Sequence, residues 1–324
     1  MKRTLRALMA AGALTLATFG ARANDAWPNK PIHIVVPFTA GGVVDSIARI
    51  VADKLGSKYD VAMVVENKPG AGGSAGTAFV AKAAPDGYTL LCVSPGHVVT
   101  PSLIRNVAWD PVRDFRGIEG FGVIPNVIVV PAASPVKTLP EFIAAAKKSP
   151  GQLTYGTAGI GTSNHLSGEL LSQSAGLKLS HIPYKGQPDA LNDLLAGRLD
   201  MMPLTAALAA PHLKSGQLRA LAVTTSNRSA ALPAVPTAAE AGNLPGYEVG
   251  TWFGFVAPAK TPDAIVRKLS GDIADILAQP DVKAKFETLG MELAPQSPPQ
   301  FDAFVKAEQA KWTKVIQQAG VVAQ

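Results

Sequence analysis

Short apolar runs alternate with amphipathic stretches along most of this chain. Ile32–Val36 reads as a strand, and Val44, Ala48, Val51 and Leu55 then recur at helical spacing. Val61–Val65 predicts a second strand, Gly70–Gly76 a turn into a helix over Thr77–Ala83, and Tyr88–Val93 a third strand. Further strands are expected at Ile124–Val130, Leu153–Tyr155, His181–Tyr184, Leu199–Leu204 and Leu218–Thr224. Helices are expected at Pro140–Lys148, around Leu166, Leu170 and Leu171 with Gly176 as the stop, and over Pro188–Ala196 with Gly197 as the stop. The C-terminal part is mostly helical. One helix starts at Thr261-Pro262 with Ile265, Leu269, Ile273 and Ile276 inward; a last one, near Pro299–Ala319, presents Phe301, Phe304, Val305, Trp312 and Ile316 on one face, interrupted by Glu308. Strands alternating with helices predict an α/β fold with mostly parallel sheets. The unit strand, Gly-rich loop, helix occurs at Ile32–Leu55 and again at Leu153–Gly176, one in each half, which suggests one in each of two lobes.

The first 23 residues stand apart. Lys2, Arg3 and Arg6 precede the apolar stretch Leu8–Phe19, and Ala21-Arg22-Ala23 is a small-residue cleavage signal, so residues 1–23 read as a secretory signal peptide cleaved near Ala23. This changes the charge argument: the full chain carries +6, but the mature one keeps 26 basic against 24 acidic residues, +2. A near-neutral chain gives no electrostatic case for nucleic acid or an anionic membrane. The single cysteine, Cys92, cannot form an intramolecular disulfide and reads as a buried thiol.

Two loops carry the candidate chemistry. "PFTAGGVVDSIAR" (Pro37–Arg49) and "YGTAGIGTSNHLSGE" (Tyr155–Glu169) both end at helix starts rich in small residues. Unpaired first-turn N–H groups and the helix dipole make such corners favourable for anions. Gly41 and Gly42 are expected to bring N–H groups to the ligand, with Asp45 either accepting from it or bracing the loop. In the second loop Gly156, Gly159 and Gly161 free the backbone, Thr162 or Ser163 is the N-cap, and His165 packs or orients. The P-loop pattern is absent. "GAGGSA" at Gly70–Ala75 is separated from its strand by Asn67-Lys68-Pro69, which argues against a dinucleotide fingerprint. A carboxylate, satisfied by two or three N–H groups and a hydroxyl, is the better anion. Tyr184-Lys185 ends a strand, where Lys185 could meet a second carboxylate. The five histidines show no metal spacing, and no serine sits in a nucleophile elbow.

Read in order, "WPNKPIHIVVPFTAGGVVDSIAR", "VENKPGAGGSAGTAFVAKAAPDGYTLL", "YGTAGIGTSNHLSGELL", "HIPYKGQPDALNDLLAGRLDMM", "LRALAVTTSNRSAALPAVPTAAEAG" and "GYEVGTWFGFVAPAKTPDAIVRKL" resemble the Bug family, the periplasmic substrate-binding proteins of tripartite tricarboxylate transporters. The resemblance covers essentially the whole mature chain. It implies a two-lobed "Venus flytrap", a type II-like periplasmic binding protein with a hinge and an interdomain cleft for a carboxylated small molecule. It further implies a binding role without catalysis, cofactor or metal, a periplasmic location, a membrane permease as partner, and a monomer. Carried over, the ligand would meet Phe38, Thr39, Ala40, Gly41, Gly42 and Asp45 of the first loop. From the second it would meet Gly156, Thr157, Ala158, Gly159, Gly161, Thr162, Ser163 and His165. Ser94 of the Ser94–His97 loop, Tyr184, Lys185 and, after Asp200, Thr205 would shape the far end.

Two departures bear on the ligand. Val44 stands where the family often has a hydroxyl residue, and Leu204 where many members carry an aspartate. With no arginine in Phe38–Asp45 or Gly156–His165, an apolar or aromatic mono- or dicarboxylate is expected rather than an amino acid or citrate. The lobes are expected to comprise residues 24–125 with 250–324, and 126–249, with hinges near Gly122–Asn126 and within Asn227–Gly250. Two other readings remain: a ligand sensor of the same fold, and a secreted hydrolase using Ser163 and His165, for which no third orienting group can be named.

Overall fold

The computed structural model describes residues 27–70, 73–184 and 186–318; the segment read as a signal peptide and Lys185 lie outside them. The chain is two-lobed. In the first lobe β1 (Ile32–Val36) leads into α1 (Val43–Tyr59), β2 (Met63–Asn67), α2 (Ser74–Ala81), β3 (Thr89–Val93) and α3 (Gly96–Leu103). The 17-residue β4 (Phe115–Pro131) then carries the chain outward. Beyond it lie α4 (Leu139–Lys148), β5 (Thr154–Thr157), α5 (Ser163–Ala175), β6 (Ser180–Pro183), α6 (Gln187–Leu195), β7 (Met202–Thr205), α7 (Ala206–Lys214), β8 (Leu218–Val223) and α8 (Ala238–Gly242). β9 (Gly250–Pro258) returns, followed by α9 (Asp263–Ala278), α10 (Pro280–Thr288), β10 (Glu292–Gln296) and α11 (Pro298–Gln318).

The strand order β10-β4-β9-β3-β1-β2 makes the first sheet. β1 is parallel to β2 and β3, but β9 is antiparallel to β3 and β4, and β10 to β4, so the sheet is mixed rather than mostly parallel. The reason is topological: β4 leaves and β9 comes back, and two such crossing strands must run in opposite senses. β4 pairs with β9 as far as Pro125 opposite Gly250, and from Asn126 onward with β7 and β8. β5 and β6 pair in parallel, and the Gly156 N–H donates to Met201 O, joining them to the segment before β7.

Two strands are displaced from the positions their apolar runs predict. β2 spans Met63–Asn67 instead of Val61–Val65, because the parallel register with β1 sets Ile32 opposite Met63 and Val35 opposite Glu66. As an edge strand it tolerates that glutamate, which bonds His33 and Lys68. β7 starts at Met202 rather than Leu199, because the Asp200 carboxylate accepts from Thr154 N and Oγ1 at 2.7 and 2.8 Å and turns the chain there.

Apolar side chains of β1, β3, β4 and β9 pack under α1, α9 and α10 in one cluster, among them Ile34, Val51, Phe255, Leu269, Ile273 and Phe286. Cys92 belongs to it; burial pushes its thiol pKa up and keeps it inert. A second cluster, with Val127, Leu191, Leu194 and Leu204, fills the other lobe. A third joins the lobes, as α11 inserts Trp312, Val315 and Ile316 between Val98, Val99 and Leu103 of α3 and Leu166, Leu170 and Leu171 of α5. Glu308 faces inward on α11 because it is hydrogen-bonded: its carboxylate accepts from Trp252 Nε1 at 3.1 Å, Trp312 Nε1 at 2.8 Å and Lys311 Nζ at 3.0 Å.

One buried acid makes stability pH-dependent. Glu119 of β4 is only 2% exposed, and its single recorded partner among the described residues is Ser270 Oγ at 2.6 Å. Burial raises its pKa from the ordinary 4.5 to about 7. The folded state therefore holds the proton more tightly than the unfolded chain. That stabilisation is complete below about pH 4.5 and is lost as pH rises through about 7, up to about 3 kcal/mol in all. Glu119→Gln should flatten this part of the stability–pH curve in chemical denaturation and be more stable than the parent at pH 8. An unchanged slope would show that Glu119 titrates normally.

Candidate functional site

Between the lobes lies a cavity of about 650 Å³. Five helices turn their N-termini to it, each directly after a strand or short loop. α1 contributes Val43 and Val44, α3 Gly96 with its cap Pro95, and α5 Ser163 and Asn164 with the cap Thr162. α6 contributes Gln187, and α7 its cap Thr205. Only Thr162 caps its helix with a side chain, accepting from His165 N at 3.4 Å; the caps Gly42, Pro95, Gly186 and Thr205 make no such bond. First-turn N–H groups without side-chain acceptors face one space; α3 also lines it with Leu103 and its C-cap Ile104, so the dipoles that share one sign there are those of α1, α5, α6 and α7. No described residue lining the cavity has an ionisable side chain. Phe38, Val43, Val44, Leu103, Ile104, Ile124, Ile160 and Phe253 make much of the wall apolar, and the polar remainder is hydroxyl and amide.

The two Gly-rich loops hold this arrangement by spending their own N–H groups internally. Gly41, at φ +81°, donates to Asp45 Oδ2 at 2.9 Å, so this N–H is not turned to the cleft. The same Asp45 oxygen accepts from Arg49 Nε at 3.0 Å, and Oδ1 from Asn67 Nδ2 at 3.0 Å. Those bonds, Arg49 first, hold its pKa at about 2. Asp45 braces the loop, and Thr39, Ala40, Gly41 and Gly42 form an exposed arch beside the cavity, outside its lining. In the second loop Gly159 N donates to Thr157 Oγ1 at 3.1 Å, and Gly161 N to His165 Nδ1 at 3.3 Å. Thr157 Oγ1 lies 2.7 Å from His181 Nε2, and the His165 and His181 rings are 4.5 Å apart. Burial lowers the two histidines to about 3 and about 4, which keeps both imidazoles neutral and lets His165 accept from the loop. Gly161 sits at φ +81°, which favours glycine, and a Cβ there would stand 3.0 Å from Leu103 Cδ1, which would have to give by a few tenths of an ångström.

Apart from the exposed arch Thr39–Gly42 and Lys185, which lies outside the described residues, the sequence-derived residues either line the cavity or stand behind it. Phe38, Ser94, Ala158, Gly161, Thr162, Ser163 and Thr205 line the cavity. Asp45, Gly156, Thr157, Gly159 and His165 stand behind it as supports, and Tyr184 donates its hydroxyl to Asp193 at 2.7 Å. Leu204 is fully buried against the second lobe's core, so it is no wall of the cavity, contrary to the expectation from the sequence. Thr162, not Ser163, is the N-cap of α5. Ser163 Oγ accepts from Thr251 Oγ1 at 2.6 Å, while His165 Nδ1 is occupied by Gly161, so no general base reaches the serine among the described residues. Asn164, Gln187, Thr251 and Phe253 line the cavity without having been singled out. Gln187, just before Pro188, is legible as a helix start; Thr251 carries no signal, since the sequence predicts no strand around it.

The chain matches the family described as tripartite tricarboxylate transporter family receptor over residues 47–321. It is 40% identical over 313 residues to a protein of Pseudomonas sp. (strain P51) known from the tcbD-tcbE intergenic region, covering 96% of this chain and 93% of that one. Among solved structures, an R. palustris protein with adipate superposes with a TM-score of 0.79 at 36% identity, covering 92% of this chain and 100% of that chain. The periplasmic binding protein BugD superposes with a TM-score of 0.76 at 36% identity, with the same coverage of 92% and 100%.

Proposed function

The chain belongs to the tripartite tricarboxylate transporter receptor family, and on that premise we propose that it captures a small carboxylate in the interlobe cleft and delivers it to a membrane permease. The observation that carries this reading is the convergence of five helix N-termini on a cavity without ionisable side chains among its described lining residues. A carboxylate there is solvated by first-turn N–H groups, hydroxyls and amides, and its charge is balanced by dipoles rather than by a salt bridge. The proposed lobes are residues 24–125 with 250–324, and 126–249. They close by rotation where β4 and β9 pass between the sheets, so a ligand touching both lobes shifts the population toward the closed form. Residues 1–23 serve as the export signal to the periplasm.

The apolar wall selects the ligand's body. A third carboxylate, or an ammonium group, would be desolvated here without a charged partner among the described residues, at a cost of several kcal/mol. We therefore expect a mono- or dicarboxylate with an apolar or aromatic body, and the relative solved with adipate is consistent with that class. A thermal-shift screen followed by calorimetry tests the reading. At a concentration 100 times Kd the right acid stabilises the protein by about 2.7 kcal/mol, and citrate and glutamate leave it unmoved. A shift with citrate or glutamate alone would overturn the ligand class, and no shift with any carboxylate would overturn the function.

A further inference from the structure

The floor of the cleft is formed where the crossing strands meet α5. Thr251 of β9, opposite Ile124 of β4, donates its hydroxyl to Ser163 Oγ at 2.6 Å. Ser163 is the first residue of α5 and lines the cavity. A hydroxyl has one proton to give. Having accepted from Thr251, Ser163 keeps its own proton, and among the described residues no acceptor is recorded for it. The nearby carbonyls are engaged: Gly159 O by Thr162 Oγ1 at 2.7 Å, Ser163 O by Ser167 Oγ at 2.8 Å. The remaining direction is the cavity.

A second polar group lies behind this floor. Asn126, the first β4 residue to pair with β7, is fully buried. Its Oδ1 accepts from Asn164 Nδ2 at 3.4 Å, but its Nδ2 has no partner. Asn164 lines the cavity and gives its amide to Pro203 O at 2.6 Å. Asn126 itself is outside the lining, so the donor that reaches the cavity here is the Ser163 hydroxyl.

The geometry points to Thr251 as a positioning residue that fixes the Ser163 hydroxyl as a donor into the cleft, where a ligand carboxylate oxygen accepts it. This rests on the carboxylate reading above. Because Thr251 sits on a crossing strand and Ser163 on the opposite lobe's helix, the same bond ties the donor's direction to the hinge.

Adipate and its diamide are the probes, with Kd read by calorimetry. The wild type should bind adipate at least tenfold more tightly than the diamide. Thr251→Val should raise the adipate Kd about tenfold, and Thr251→Ser should restore it. Ser163→Ala should weaken binding similarly, and Thr251→Val added to Ser163→Ala should cost nothing more, because the first substitution acts only through the second residue. The melting temperature of each unliganded variant reports its fold; should valine disturb β9, Thr251→Ala serves in the same cycle. Wild-type affinity in Thr251→Val, or losses that multiply in the double variant, would overturn the assignment; equal affinity for the diamide would overturn the carboxylate reading on which it rests. A wild type that binds no carboxylate at all would overturn the functional reading, and this assignment with it.

Discussion

A carboxylate built into the cleft by Ser163→Asp weakens binding of a free one by about two powers of ten and stabilises the empty protein. Position 163 is the first residue of α5, where an acid is favoured by the helix dipole by about 0.3–1 kcal/mol. The new side chain still accepts from Thr251, whose hydroxyl already points there. The cavity offers no cation among its described lining residues to screen it. A ligand carboxylate about 5 Å away meets repulsion of about 3 kcal/mol at an effective dielectric of about 20, a loss of about two powers of ten in affinity. Ser163→Asn, close in shape and uncharged, separates charge from size and should stay within about tenfold of the parent. Calorimetry and the thermal midpoint of the unliganded form read both halves. Undiminished affinity in Ser163→Asp would show that the anion is held elsewhere.

The largest loss of stability is expected from Glu308→Ala. The carboxylate gathers two indole N–H groups and one ammonium, from Trp252 on β9 and from Lys311 and Trp312 on α11 itself. Its side chain is 12% exposed, so water replaces it poorly. Removing it leaves two indole N–H groups without their acceptor in a largely apolar setting, while Lys311 keeps Glu248 O at 2.7 Å, and each orphaned buried donor costs about 1–3 kcal/mol. Glu308→Gln keeps one acceptor oxygen and should lose less. The denaturant midpoint, at unchanged slope, measures both. A loss below about 1 kcal/mol for the alanine would mean that the indoles find other acceptors.

Glu308 also shows where a one-dimensional pattern stops. Along the chain it breaks an apolar stripe; in space it is the acceptor that satisfies the two tryptophans packed beside it. Leu204 shows the opposite case. Its place in a motif made it look like a pocket wall, but strand alternation turns it into the core and leaves its neighbour Thr205 to face the cavity. Gly41 is legible as part of a Gly-Gly corner whose N–H groups are expected to meet the ligand. That its N–H is consumed by Asp45 depends on a side chain four residues on and on Asn67 from β2 holding that side chain in place.

By itself the sequence determined the local elements and the class. Helix starts, strand runs and Gly-rich corners follow from interactions between residues close in the chain, so β1, α1, α5 and α9 were legible to within a few residues, and the motif blocks marked the family. The tertiary structure alone decided which donors remain for a ligand. Every loop N–H has several possible acceptors, and the choice among them is made by side chains far away in sequence: Asn67 beside Asp45, His181 beside Thr157, Thr251 beside Ser163. The convergence of five helix N-termini is likewise a property of packing. Each helix start is written locally, but their common focus exists only once β4 and β9 have crossed between the two sheets.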